Sequence, residues 1–380
     1  MLRVINLVDS RRQINFGIWN AAIATAPTLK SLAGIESELW FPRDRNTVIP
    51  NAFHDQVDAF EEVASMAQFK NLLKQRMADA LPVVVVSHGL WREPTRWAAH
   101  AKQLGLPWIF TPHGMLEPWS LSQKWIRKAI YFHCFEKRMI QSCDVIRAVS
   151  RPEQHNLGNL LKQIDVEMIP NGIDRPPVVR RKPHETVRFV FLSRLHKKKA
   201  VAELVMAFCQ SPLKNNANFE LVVAGPDEGE LSRITECIRT TQTNNVVVPG
   251  AIFGDQKFDL LESSDFFVLP SHSEGFPSSV VEAMGRGCIP IISDGCNFPE
   301  AKSLTISASP NVESIKNALM TAAGLEPGQV LKWSSEAAGF IKANYTVDKI
   351  AGQQLELLCR LNNVPLVKKP CSAESQPHVV

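Results

Sequence analysis

The fold class of this chain is decided by the stretch Ser271-His272-Ser273-Glu274-Gly275-Phe276-Pro277-Ser278-Ser279-Val280-Val281-Glu282-Ala283-Met284. It follows the apolar run Phe266–Pro270, which predicts a buried strand, and its glycine permits a tight turn. Pro277 suits the first turn of a helix. The stretch therefore predicts strand, turn and helix, with Glu274 in the loop at the strand end and Glu282 near the second helical turn.

This stretch also carries groups that suit a sugar nucleotide. A carboxylate at Glu274 can accept hydrogen bonds from sugar hydroxyls, and one at Glu282 can accept them from ribose hydroxyls. The amides near Ser278 and Ser279 lie where the helix dipole favours a phosphate, whereas Pro277 has no N–H. Two glutamates eight residues apart also arise by chance on a solvated helix, so it is the strand–turn–helix context that strengthens the functional interpretation.

Outward from this stretch, short apolar runs alternate with helical segments, which predicts parallel sheets built from βαβ units. The predicted strands are Arg3–Val8, Glu38–Phe41, Val83–Ser87, Trp108–Thr111, Val145–Val149, Phe189–Leu192, Glu220–Ala224, Val246–Val248, Phe266–Leu269 and Ile289–Ile292. The predicted helices are about Trp19–Leu32, Ser122–Ile140, Pro152–Leu161, Ala200–Phe208, Glu228–Thr240, Gln256–Glu262, Ser278–Arg286 and Asp348–Leu361. The predicted fold class is α/β, with two Rossmann-like, doubly wound parallel-sheet domains that face a central cleft.

The domain boundaries follow from a break in this alternation. Residues 175–183 hold three prolines and basic residues without periodicity, which predicts a stiff exposed linker. We therefore predict an N-terminal domain at 1–175 and a C-terminal domain at 176–345. A terminal helix at about 346–362 is expected to pack back on the first domain, and 363–380 to form a flexible tail.

Composition excludes several classes of protein. The 380 residues are 45% hydrophobic and carry a formal net charge of +4, which suits a globular protein and is too small to indicate nucleic-acid binding. The eight cysteines include no CxxC pair and no zinc-type spacing. No apolar run approaches the roughly 20 residues of a membrane span, and charged residues follow the N-terminus too soon for a secretory signal. We expect a cytoplasmic protein.

A second candidate site follows the strand that ends at Leu192, in Ser193-Arg194-Leu195-His196-Lys197-Lys198-Lys199. Arginine can fork onto two phosphate oxygens and lysine supplies a compact charge, so the segment suits a diphosphate. The alternative is a solvated basic helix start. Cations are unfavourable beside a helix N-terminus unless an anion joins them, which favours the phosphate interpretation.

Three further candidates lie in the first half. His113 follows the strand Trp108–Thr111 and precedes a glycine, so it can reach across a crevice, although such a histidine is more often a turn residue. His88, at the neighbouring strand end, is an even choice between acceptor contact and structure. Gly17 opens the first helix, where its amide can meet a phosphate. No Asp-x-Asp pair stands at a strand end to hold a metal ion, so no metal or other cofactor is expected.

Together these segments resemble the retaining glycosyltransferases of sequence family 4, the group 1 glycosyltransferases, which have the GT-B fold. The resemblance covers roughly residues 1–345. It implies that Glu274 contacts the transferred sugar, with Gly275 and Phe276 beside it in the donor site, and that Glu282 binds the ribose. It also implies that Arg194 and Lys199 clamp the diphosphate and that His113 lies beside the anomeric centre. Three positions depart from the usual family glycines, namely Ser193, Ala200 and Pro277.

The resemblance implies a function as well. The implied function is that of a metal-independent, retaining hexosyl- or deoxyhexosyltransferase. Its implied donor is a nucleotide-diphosphate-sugar, its implied acceptor is a carbohydrate or lipid-linked saccharide, and its implied role is in bacterial surface polysaccharide biosynthesis. The alternatives are a GT-B hydrolase or epimerase of nucleotide sugars, and a non-catalytic regulator that binds them. The sugar, the base and the acceptor stay open.

The helical segment 121–140 has two faces in projection. Trp125, Ile126, Ala129, Ile130 and Ile140 gather on the face that should be core, while basic and aromatic residues, among them Phe135, gather opposite. Such a mixture suits an anionic membrane surface, here the inner face of the cytoplasmic membrane, or a lipid-pyrophosphate acceptor. The alternative, an ordinary solvated helix packed against residues 43–51, is slightly favoured.

Overall fold

The computed structural model describes residues 2–9, 16–43, 51–122, 125–173, 175, 177–178 and 185–362. The strands of the first sheet are β1 Arg3–Leu7, β2 Glu36–Pro42, β3 Ala59–Val63, β4 Val83–His88, β5 Trp108–Thr111, β6 Val145–Ala148 and β7 Val166–Met168. Those of the second sheet are β8 Val187–Leu192, β9 Phe219–Ala224, β10 Val246–Gly250, β11 Phe266–Leu269, β12 Ile289–Ile292 and β13 Ile306–Ser307.

Helices separate most of these strands. In the first half they are α1 Phe16–Ile23, α2 Ala26–Ala33, α3 Asn51–His54, α4 Met66–Ala78, α5 Glu93–Gln103, α6 Pro118–Ser122, α7 Trp125–Tyr131, α8 Lys137–Ile140 and α9 Arg151–Leu160. In the second half they are α10 Val201–Cys209, α11 Leu231–Thr241, α12 Gly254–Glu262, α13 Ser278–Gly285, α14 Val312–Ala323, α15 Pro327–Asn344 and α16 Val347–Leu361. Short 3₁₀ turns occur at Lys197–Lys199, Asp294–Cys296 and Pro299–Leu304, and a π-helical turn at Phe132–Glu136.

Both sheets have doubly wound topology. Within the described residues the first sheet has seven strands in the order β3-β2-β1-β4-β5-β6-β7, and the second has six in the order β10-β9-β8-β11-β12-β13. Every register that we describe is parallel. The central strands are buried on both faces, as the run of four valines in β4 illustrates, because helices cover a parallel sheet on both sides. The α/β fold class with two parallel sheets is therefore confirmed.

The compact units of the chain differ from the predicted domain boundaries. Among the described residues, the first unit comprises those up to Thr111, Phe135–Ile146 and those from Val347 on, and the second comprises those from Pro112 to Cys134 and from Arg147 to Thr346. Within the first unit, α16 packs against α2, and the Thr25 hydroxyl lies 2.6 Å from Gln354 Oε1. Most of the predicted linker and all of the predicted tail 363–380 lie outside the described residues.

Several predicted elements need correction. The predicted helix Trp19–Leu32 is two helices, because Pro27 in the first turn of α2 has no N–H with which to continue α1. The predicted helix Ser122–Ile140 begins at the last residue of α6 and, after two residues outside the described ranges, continues as α7, a π-helical turn and α8. The strands β3, β7 and β13 were not predicted, since β3 is rich in glutamate and the other two have three residues or fewer.

The exposed side of α7 is also different from the prediction. Ile126 is 56% exposed and Ile130 60%, although both were assigned to the core. Phe135, which was assigned to the opposite face, is 57% exposed and agrees with the prediction. The projection treated residues 121–140 as one continuous helix, whereas a π-helical turn separates α7 from α8. An extra residue in that turn rotates the following residues relative to α7, so a single helical projection fails.

Candidate active site

Arg194 is positioned by two loops that leave neighbouring strands at the same edge of the second sheet. Leu192 of β8 is in register with Ala224 of β9. Beyond these strands, Leu195 N–H donates to Pro226 O and Glu228 N–H donates to Leu195 O, at 2.8 and 3.0 Å. This pairing brings Glu228 to the arginine, whose Nη1 lies 2.6 Å from Glu228 Oε2. The Arg194 side chain is 37% exposed, so a ligand can reach it.

Lys199 and Glu274 form a buried ion pair. The carbonyl of Lys198 accepts bonds from His272 N–H at 2.8 Å and Ser271 Oγ at 3.0 Å, which joins the 3₁₀ turn to the loop after β11. Lys199 Nζ then lies 2.6 and 2.8 Å from the two carboxylate oxygens of Glu274. The two residues are 8% and 7% exposed.

The charge state of Glu274 follows from its surroundings. Burial alone would raise its pKa, but the charges of Lys199 and Lys198 and the bonds from Lys199 and Ser271 hold the pKa below its ordinary value. Glu274 is therefore an anion at neutral pH. Two cations, Lys198 and Lys199, lie close to it. The cations can bind an anionic ligand, and the carboxylate can accept hydrogen bonds from a polar one.

The helix after this loop differs from the expectation in one respect. The N–H of Ser278 donates to the Phe276 carbonyl at 2.9 Å, so one of the two amides expected to bind phosphate already has an acceptor. Ser279 is partly exposed in the first turn of α13. The ring of Phe276 packs near Tyr345, with ring centroids 5.9 Å apart. Glu282 pairs with Lys257 of α12 at 2.8 Å, a partner that the sequence did not indicate.

His113 reaches this site through its backbone. His113 and Gly114 have φ angles of 52° and 75°, in the left-handed region. A Cβ on Gly114 would lie 2.3 Å from Gly275 Cα, and one on Gly275 would lie 2.6 Å from the His113 carbonyl. The His113–Gly114 loop therefore lies directly against the backbone that follows Glu274.

The His113 side chain is held in its neutral form. Desolvation, and to a lesser extent the charge of Arg147, lower its pKa to about 3. A neutral imidazole has one N–H donor and one acceptor nitrogen, so it can donate to a sugar hydroxyl or accept from one, whereas a protonated imidazole can only donate.

Two residues that the sequence analysis missed connect these loops. Asn297 Nδ2 donates to the Glu274 carbonyl at 2.6 Å and to Glu117 Oε2 at 3.2 Å. Glu117 is 4% exposed, and burial raises its pKa despite bonds from two asparagines. Nearby, the Trp119 ring stacks on His272 and lies 5.2 Å from Lys198 Nζ. The sequence around Asn297 does not indicate this role, because both of its partners are distant in sequence.

Two other candidates lie in the first unit. His88 is 1% exposed and its Nε2 lies 3.2 Å from Asn6 Oδ1 of β1, a contact that favours a structural role in this state. Gly17 is exposed in the first turn of α1, with open space around it. The acceptor role of His88 and the phosphate role of Gly17 stay predictions.

The site gathers several cationic side chains. Within the described ranges, no group of three or more His, Cys, Asp or Glu side chains is arranged to hold one. Arg194, Lys198 and Lys199 supply positive charge at one strand-end region of the second sheet, which suits a diphosphate. None of the described helices is long and apolar enough to cross a bilayer.

Comparison with known families agrees with this geometry. The model of the group 1 glycosyl transferases matches residues 174–323, and that of glycosyltransferase family 4 matches residues 34–175. The chain belongs to the family 4, group 1 glycosyltransferases. The fold of the chain, with its two parallel sheets, is the GT-B fold. The HepE protein of Anabaena, solved in complex with UDP and glucose, aligns with a TM-score of 0.71 at 15% identity, over 95% of this chain and 100% of that one.

Curated relatives of this family 4 chain are also glycosyltransferases. TuaC of Bacillus subtilis (strain 168), named for teichuronic acid biosynthesis, is 27% identical over 233 residues, which are 58% of this chain and 54% of TuaC. The N,N'-diacetylbacillosaminyl-diphospho-undecaprenol alpha-1,3-N-acetylgalactosaminyltransferase of Campylobacter jejuni is 38% identical over 86 residues, which are 22% of this chain and 21% of that relative. The chain thus spans about half the length of TuaC in the match.

Proposed function

We propose that this protein is a retaining, metal-independent glycosyltransferase that moves a hexosyl or deoxyhexosyl group from a nucleotide-diphosphate-sugar to a carbohydrate or lipid-linked saccharide. The observation that carries the proposal is the buried Lys199–Glu274 pair beside the His113–Gly114 loop. In a sugar transfer, a cation stabilises the charge on the departing diphosphate and a carboxylate stabilises the sugar. Lys199 and Glu274 supply these two groups at hydrogen-bond distance from each other.

Donor binding exchanges ion pairs. Lys199 is paired with Glu274, and Arg194 with Glu228. When a diphosphate arrives, Lys199 and Arg194 turn to its oxygens, and Glu274 is released to accept bonds from the sugar hydroxyls. The departing diphosphate then develops its charge against cations that are already in place, and it helps to deprotonate the acceptor on the same face of the sugar. Glu282 exchanges Lys257 for ribose hydroxyls.

The biological setting follows from the relatives and stays part of the proposal. TuaC is named for teichuronic acid biosynthesis, and the Campylobacter jejuni relative for a diphospho-undecaprenol acceptor. These names support a role in bacterial surface polysaccharide biosynthesis, with a lipid-linked acceptor and a cytoplasmic location at the inner face of the membrane.

The first prediction concerns donor binding. Nucleoside diphosphates and their sugars should raise the melting temperature by a few degrees in EDTA, because a ligand at 100 times its Kd stabilises by about 2.7 kcal/mol. The Arg194→Ala variant should lose the shift. Arg188→Ala is the matched control, since Arg188 pairs with Glu220 at the start of the same strand, far from the strand end that bears Arg194.

Three results would count against the proposal. The absence of a shift with any nucleotide would remove the donor site, and a shift that needs a divalent cation would remove metal independence. Sugar release at the same rate with and without acceptors would indicate a hydrolase. The anomeric configuration of a transferred sugar, read by NMR, tests retention directly.

The second prediction concerns the membrane. The exposed Ile126 and Ile130 of α7 are one turn apart, and fully burying an isoleucine in an apolar medium contributes about 1.5–3 kcal/mol. The protein should therefore co-sediment with anionic vesicles at low salt, and the double variant Ile126→Asp/Ile130→Asp should not. Met320→Asp, on the exposed side of α14, controls for loss of any surface apolar residue. If the unaltered protein stays in the supernatant at low salt, the membrane part of the proposal is wrong.

A further inference from the structure

Glu153 is a buried carboxylate with no role in the function described so far. It is 1% exposed in the first turn of α9. Its Oε1 accepts a bond from Gly114 N–H at 2.5 Å, and its Oε2 accepts one from Val149 N–H at 2.7 Å. The helix is capped separately, because the Ser150 side chain accepts from Glu153 N–H at 3.3 Å.

The use of Glu153 departs from the ordinary pattern of its sequence. Ser150-Arg151-Pro152-Glu153 has the spacing of a capping box, in which the glutamate side chain would return to the N–H of the serine. Here one carboxylate oxygen reaches the residue before the serine, and the other crosses 39 positions of sequence to the His113–Gly114 loop. The carboxylate therefore joins helix α9 to that loop.

The loop needs such a partner. His113 is in the left-handed region, where a residue other than glycine is strained by about 1–3 kcal/mol. The N–H of Gly114 points into a buried environment, where an unsatisfied amide costs about 1–3 kcal/mol. The loop also touches Gly275, so any movement of it would change the position of His113 relative to the Glu274 loop.

Charged groups around Glu153 make its protonation state matter. Desolvation raises its pKa to about 7, against the two amide bonds and the charge of Arg147, while Glu117 adds to the rise. Arg147 is held in turn by the carbonyls of Ile169 and Pro170. A protonated Glu153 has one oxygen that carries hydrogen, and that oxygen is a poor acceptor for a facing N–H.

We propose that Glu153, as a carboxylate, is the positioning residue that fixes the His113–Gly114 loop against the Glu274–Gly275 loop for sugar transfer. The proposal rests on the proposed function. Glu153 does not touch the donor and acts only through the loop. Glu153→Gln keeps the shape of the side chain but faces one of the two N–H groups with a donor, so the loop loses its fixed position.

The test combines kcat, donor binding and a pH profile. In Glu153→Gln we expect kcat to fall about 10- to 100-fold, as small misplacements of reacting groups do, with an unchanged thermal shift by the nucleoside diphosphate. In the unaltered protein kcat should fall as the pH is lowered from 8 to 5.5, because Glu153 becomes protonated. In the glutamine variant this acid limb should be absent. Ser150→Ala weakens the cap of the same helix by about 1 kcal/mol and should keep both kcat and the acid limb.

The outcomes separate this inference from the function on which it rests. If the unaltered protein shows no nucleotide shift, it is the donor site that fails. If the shift is present but Glu153→Gln has normal kcat, or keeps the acid limb, the positioning role is wrong. Thermal melting shows beforehand whether the variant folds. If it does not fold, the pH profile of the unaltered protein decides alone, and the absence of an acid limb in its kcat would overturn the inference.

Discussion

Glu274→Gln is expected to lower kcat by about 10²- to 10³-fold, the usual cost of removing one preorganised electrostatic group from a transition state. The amide matches the carboxylate in size but cannot offset positive charge on the sugar. Steady-state kinetics at saturating donor and acceptor measure the effect. Near-normal kcat would mean that Glu274 takes no part in the reaction.

The same substitution has a distinct signature in stability. It leaves Lys198 and Lys199 beside each other without their anion, and removing one partner of a buried pair costs about 3–5 kcal/mol. Because the pKa of Glu274 is depressed in the folded protein, the stabilisation is present above its ordinary value near 4.5 and is lost as the pH falls through the lower folded value. The difference in melting temperature between the two proteins should therefore shrink below about pH 4.5.

Nucleotide binding should change in the opposite direction. A diphosphate restores the anion that the two lysines have lost, so its thermal shift should be larger in Glu274→Gln than in the unaltered protein. Glu220→Gln is the matched control, since it breaks the 2.6 Å pair with Arg188 at the start of β8 and β9, where both side chains are about 30% exposed. Such a pair is worth about 0–1 kcal/mol, and its loss should leave kcat and the nucleotide shift unchanged.

Local patterns in the sequence were sufficient for most of the fold. Buried strands of a parallel sheet are continuous apolar runs, so β5, β11 and β12 have the predicted bounds. The charged residues that follow such strands are visible in the same way, which is why Arg194 and Glu274 could be named. Their partners could not be named in this way. Arg194 and Glu228 are 34 positions apart in sequence, and only the pairing of two loops brings them together.

The rest of the site depends on contacts that carry no local signal. Glu153 has the spacing of an ordinary helix cap, and only the folded chain shows that its carboxylate is used for Gly114. The left-handed conformation of Ala200 is not indicated by alanine itself, and only the family glycine at this position points to it. The π-helical turn changes the phase of a helix by one residue, an irregularity that periodicity averages away.

Gly275→Ala should be strongly damaging, although it adds only one methyl group to this site. The φ of Gly275 is not in the left-handed region, so alanine is acceptable to its own backbone. The obstacle is contact, because the new Cβ would lie 2.6 Å from the carbonyl carbon and oxygen of His113 and 2.7 Å from Gly114 N. These are backbone atoms, and they cannot move aside as a flexible side chain can. The two loops must separate, which should lower kcat about 100-fold and cost about 1–3 kcal/mol of stability.

Gly339→Ala is the matched control for this prediction. Gly339 is exposed in α15, and a Cβ there would meet nothing within 4 Å. Alanine in a helix interior is favoured over glycine by about 0.5–1 kcal/mol, so this variant should melt slightly higher with normal kcat. Kinetics well below the melting temperature separate a displaced loop from a smaller folded fraction. If Gly275→Ala retains normal kcat while Gly339→Ala behaves as expected, the close approach of the His113 and Glu274 loops is not required for catalysis, and the positioning role of Glu153 loses its basis as well.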